Sequence, residues 1–135
     1  MARAVKPGGA LLAALLLPAL PAAAAGVACH ITYGGETQTI EAQPVASPYQ
    51  VAPVAIGSFF LFRIVVRDEP ADVSGIKLYT YADRDSGPQL IHQASHLYPP
   101  VNLPVYGFSG LNFVYEPMRD GELQYWCKFK PGAGK

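Results

Sequence analysis

The chain has 135 residues, half of them hydrophobic and only 15% charged, and its ten basic and ten acidic residues balance at neutral pH. This composition excludes the basic footprint of a nucleic-acid or anionic-membrane binder, and also the low hydrophobicity of a disordered chain. Six Phe, eight Tyr and one Trp, all of them beyond residue 25, are enough large side chains for one core.

The first 25 residues read as a secretory signal. Arg3 and Lys6 give a positive start, Ala10 to Leu20 an apolar run broken by Pro18, and Pro21 to Ala25 the small residues a signal peptidase needs. The run is shorter than the roughly 20 residues of a transmembrane anchor, so cleavage after Ala25 and release are expected. A lipid anchor on Cys29 is the less favoured reading: Gly26, three residues before it, stands where lipoprotein signals carry a large aliphatic residue. Such an anchor would leave Cys127 unpaired. Residues 26–130 then form one domain, with eight basic residues against ten acidic once Lys135 is counted, and 131–135 a disordered tail. Periplasmic or extracellular residence follows from the signal. In an oxidising compartment the two cysteines, Cys29 and Cys127, are expected to pair as a structural bridge, because the close spacing of a redox pair is absent.

Turn residues and period-two alternation dominate from there. Ala28 to Tyr33 and Glu36 to Ala42 flank Gly34-Gly35, a two-residue hairpin signal that sets Tyr33 opposite Glu36 and Cys29 opposite Ile40. Pro44, Pro48 and Pro53 make the next segment an edge or an extended crossover. Ser58 to Arg67 is the best core strand, with Phe60, Phe62, Ile64 and Val66 on one face. Gly75 to Ala82 follows, then a solvated turn at Asp83 to Pro88, whose glycine falls one place early for a calcium loop. Gln89 to Tyr98 fits a half-alternating strand or a helix with a Leu90, Ile91, Ala94, Leu97, Tyr98 stripe; the strand is favoured because its neighbours are strands. Asn102 to Gly110 is a loop, after which Leu111, Phe113 and Tyr115 alternate with Asn112, Val114 and Glu116. The closing strand puts Leu123, Tyr125, Cys127 and Phe129 on one face.

Short strands joined by Gly/Pro turns predict an all-β domain, a single β-sandwich or related small barrel whose first and last strands are joined by the disulfide. The run Asp120-Gly121-Glu122-Leu123-Gln124-Tyr125-Trp126-Cys127 resembles the tyrosine-corner strand of immunoglobulin-like domains, where Tyr-x-Cys follows an acidic turn. In that family the partner cysteine lies on an internal strand, whereas Cys29 lies on the first.

Candidate chemistry is sparse. His92 and His96 have the spacing of a helical metal pair, but on a strand they stand about 13 Å apart, so a copper or zinc site would need His30 or Met118 beside one of them. No Gly-x-Ser-x-Gly elbow supports a small secreted hydrolase, although Glu116 and Glu122 flank the last turn as a carboxylate pair. Tyr79, Tyr81 and Trp126 offer broad apolar contact with a polar tip, as recognition surfaces do. The expectation is therefore an exported, non-catalytic binding or accessory protein without a cofactor, a monomer or weak oligomer that takes a protein or small-molecule ligand. Metal handling through His92, His96 and His30 is the alternative, and the hydrolase the second.

Overall fold

The computed structural model of the protein describes residues 14–18 and 24–132. Most of the expected signal, 1–13 and 19–23, and the end of the expected tail, 133–135, lie outside the described residues. Eight strands follow in order: β1 (Gly26–Tyr33), β2 (Glu36–Ala42), β3 (Val54–Ile56), β4 (Phe60–Arg67), β5 (Gly75–Arg84), β6 (Gly87–His96), β7 (Asn112–Glu116) and β8 (Gly121–Lys130). Two three-residue 3-10 turns, Pro48–Gln50 and Ala71–Val73, are the only helical pieces among the described residues.

Local turn chemistry sets the first hairpin. Gly34 and Gly35 have φ of 63° and 80°, which a two-residue turn between twisted strands requires. The register is the expected one, Tyr33 opposite Glu36 and Cys29 opposite Ile40. The strands then assemble into two four-stranded antiparallel sheets, β2-β1-β8-β7 and β3-β4-β5-β6. Around the cross-section the strand order follows the chain, so this is an up-and-down meander closed by β1–β8 pairing and opened along two seams, β2/β3 and β6/β7. The expected sandwich is therefore present without the Greek-key return of immunoglobulin topology. Its disulfide also differs. Cys29 and Cys127 are direct partners on neighbouring strands of one sheet, whereas the immunoglobulin bridge spans two sheets.

Between the sheets lies a core of Val27, Cys29 and Ile31 from β1, Phe60, Phe62, Ile64 and Val66 from β4, Ile76 and Leu78 from β5, and Leu123, Tyr125 and Cys127 from β8. Each fully buried Phe or Ile contributes about 1.5–3 kcal/mol of transfer free energy, so the alternating face of β4 dominates the packing. In β7 the apolar ranking is inverted. Val114 and Glu116 point inward and are buried, while Phe113 and Tyr115 point outward and are exposed. Glu116 tolerates burial because Arg84 and the backbone N–H groups of Met118 and Arg119 all donate to its carboxylate, at 2.9–3.0 Å. Glu122 pairs with Tyr115, so Glu116 and Glu122 do not form a facing carboxylate pair.

The ambiguous segment is a strand with a bulge. Tyr81 pairs with Leu90 but Thr80 with His92, which leaves Ile91 unpaired and shifts the alternation by one residue. That shift turns His92, Ala94 and His96 toward the core side and explains why the segment alternates only by halves.

Candidate interaction surface

Once the bulge has rotated β6, its two histidines line the β6/β7 seam. His92 Nε2 and the Tyr125 hydroxyl share a hydrogen bond of 2.8 Å across the sheets. The hydroxyl therefore does not make the backbone bond of a tyrosine corner. Burial pushes the Tyr125 hydroxyl well above the usual phenol range and holds His92 and His96 below the usual histidine value. Neutral imidazole is the form that the seam accommodates. His96 packs edge-on against Phe108, and Tyr98 against Phe129, with ring centroids 5.1 and 5.6 Å apart.

His30 lies elsewhere, on the outer face of the sheet containing β1. It stacks on Trp126 at 4.2 Å and its Nδ1 bonds the Thr39 hydroxyl. The three candidate metal residues are thus not brought together: His92 and His96 stand on one strand, one of them bonded to Tyr125, and His30 lies on the far side of the opposite sheet. Among the described residues no three His, Cys, Asp or Glu side chains gather at one point.

The three candidate contact aromatics are also divided. Tyr79 and Tyr81 stack on each other at 6.2 Å on the outer face of the β3-β4-β5-β6 sheet, where the Arg63 guanidinium covers Tyr79. Trp126 belongs to the opposite outer face and meets Tyr106 edge-on at 6.0 Å. Phe113 and Tyr115 share that face, since their partners Gln124 and Glu122 alternate with the inward Leu123 and Tyr125.

Beside Trp126 runs the connection 97–111. β7 pairs only as far as Tyr125, so the remaining edge of β8 needs other partners. The connection supplies them. Phe108 N–H donates to the Cys127 carbonyl at 3.0 Å, and the Ser109 hydroxyl accepts from Cys127 N–H at 2.8 Å. The Asn102 side chain imitates a strand residue, donating to the Phe129 carbonyl at 2.8 Å and accepting from its N–H at 2.9 Å. Gly107 is required at the contact point, because a Cβ there would lie 2.1 Å from the Cys127 carbonyl oxygen.

With its polar backbone groups used in this way, the connection turns aliphatic side chains outward. Leu97 is 85% exposed, Val101 78%, Leu103 61% and Val105 66%. Together with Tyr106, Phe113, Tyr115 and Met118 they place eight of the thirteen exposed large hydrophobics of 24–132 within residues 97–118. Sequence reading missed this cluster because the residues are spread through a Pro- and Gly-containing loop and a strand whose apolar ranking is inverted. The available signal was five Val and Leu residues in a segment that packs into no strand. No protein-family profile, curated protein or solved structure matches the chain.

Proposed function

We propose that the protein is an exported, non-catalytic accessory protein that binds a protein partner through the apolar edge formed by the 97–111 connection, β7 and Trp126. The observation that carries this reading is the concentration of exposed large hydrophobics in residues 97–118. An apolar surface of that kind loses free energy to water unless a partner covers it, and aromatic side chains flanked by polar groups are what binding hot spots are made of. Rigidity supports the same reading. The connection is fastened to β8 by main-chain and Asn102 hydrogen bonds, so its ordering cost is met before a partner arrives. The Cys29–Cys127 bridge, and the absence among the described residues of a helix long and apolar enough to cross a membrane, are compatible with export.

Site-specific photocrosslinking in the native cell tests the proposal. A crosslinker at Leu103 or Phe113 should capture one discrete exported protein, and one at Thr37, on the far edge of the same sheet, should not. Substituting Val101 and Phe113 by Ser should abolish capture from Leu103 while the purified variant keeps its melting temperature within a few degrees. Crosslinks only to a second copy of this chain, or equal capture from Thr37, would refute the reading.

A further inference from the structure

The outer face of the β3-β4-β5-β6 sheet carries a second feature, independent of the apolar edge. A groove of about 710 Å³ lies between the two 3-10 turns, with β4 and β5 as its floor. The register fixes that floor: Val65 is opposite Lys77 and Arg63 opposite Tyr79. Val65 therefore has Arg63 and Arg67 two residues to either side of it on β4 and Lys77 across from it, so three cations surround one apolar side chain. Although it points away from the core, Val65 is only 3% exposed, which shows how far the surrounding walls enclose the face.

The cations are not neutralised there. Asp72 is the single carboxylate among the lining residues. Arg63 is held in place by two backbone carbonyls, Val51 at 2.8 Å and Pro48, and by the Tyr79 ring at 5.0 Å, so its position is set in advance while its charge remains. Arg67 gives one N–H to the Ala46 carbonyl at 3.2 Å, but its Nε is buried and has no partner. That Nε is enclosed by protein, whereas Nη1 makes no hydrogen bond and is not enclosed, so it is the group Arg67 offers to an incoming anion. Val73 on the wall and Tyr79 on the floor extend the apolar surface beside this charge.

The geometry points to a binding site for a small amphipathic anion, a carboxylate or phosphate head with a short acyl or ring-bearing tail. Its head sits between Arg67 and Lys77, and its tail lies against the exposed Val73 and the Tyr79 ring. The volume falls within the ordinary range for small-ligand sites, and the mixture of an apolar floor with a few convergent charges is their usual composition.

Calorimetric titration of the purified protein with octanoate, octyl phosphate and octyl glucoside, each below its micelle-forming concentration, tests the assignment. At least one octyl anion should bind ten-fold or more tightly than the uncharged glucoside, and the preference between carboxylate and phosphate identifies the head group. Lys77 is exposed and outside the core, so Lys77→Glu should weaken the anion at least ten-fold with the fold intact. Val73→Asp should do the same by opposing the tail. Equal binding of the glucoside, binding of neither anion, or an unchanged affinity in Lys77→Glu would overturn the site.

Discussion

Cys29 and Cys127 face each other directly across β1 and β8, with Cα atoms 4.0 Å apart, 98 residues apart in sequence. The bridge therefore joins strands that already pair, and its effect falls mainly on the unfolded chain. Closing a loop of that length is worth about 4–5 kcal/mol on the chain-entropy model. Replacing both cysteines by Ala should lower the urea midpoint substantially while the far-ultraviolet spectrum of the folded protein keeps its β shape. Loss of sheet structure in the absence of denaturant would instead assign the bridge a role in forming the native pairing.

The His92–Tyr125 hydrogen bond is, beside the Arg84–Glu116 ion pair, a polar link across the two sheets. Tyr125→Phe keeps the ring that packs edge-on against Phe62 but leaves His92 Nε2 unpaired, at a cost of about 1–3 kcal/mol by equilibrium unfolding. A cost within error would show that water or a rotated His92 satisfies the site.

Burial lowers the pKa of both His92 and His96 in the folded state, so the unfolded chain takes up protons first as pH falls. Stability is then fully present above the unfolded value of about 6.5 and is lost progressively as pH falls below it, through the lower folded values. Melting temperatures at pH 7.5 and 5.0 should differ in that direction, and the difference should shrink in His92→Gln. A melting temperature that rises on acidification contradicts the burial of neutral imidazoles.

What sequence reading could and could not reach has a physical division. The Gly-Gly hairpin, the apolar face of β4 and the placement of Cys29 beside Ile31 depend on local rules, and the structure has them as expected. The inward aim of His92 depends on the bulge at Ile91, and the inversion of β7 on an Arg84 that lies 32 residues before Glu116. Both arise from pairing with distant strands, which no local period encodes. The apolar edge was hidden for a related reason: a loop leaves its side chains outside only because Asn102 and Phe108 have attached its backbone to β8.

That attachment converges on Gly107, whose φ of 58° and contact with the Cys127 carbonyl leave no room for a side chain. Gly107→Ala should displace the connection and cost about 2 kcal/mol or more through strain and clash. Hydrogen exchange gives the local readout. The amides of Phe108 and Phe129, which donate to Cys127 and Asn102, should exchange faster, while those in the middle of β4 and β5 keep their protection relative to global unfolding. Unchanged protection at Phe108 and Phe129 would mean that the edge is held by something other than these bonds.

Glu116 offers the sharpest test of why β7 is inverted. Its carboxylate accepts from three donors, one of them the Arg84 guanidinium, whose side chain is itself only 18% exposed. Glu116→Gln keeps the shape but turns an N–H₂ group toward one of these donors, so one donor must lose its acceptor; the expected cost is about 1–3 kcal/mol. Arg84→Met should cost a comparable amount by leaving the carboxylate short of its charge partner, and the double variant should cost less than the sum of the two, with a coupling of at least about 0.5 kcal/mol. Full additivity in that cycle would show that the two backbone N–H groups of the turn suffice to hold Glu116 inward. The exposure of Phe113 and Tyr115 would then be set by the Pro117–Asp120 turn and not by the ion pair.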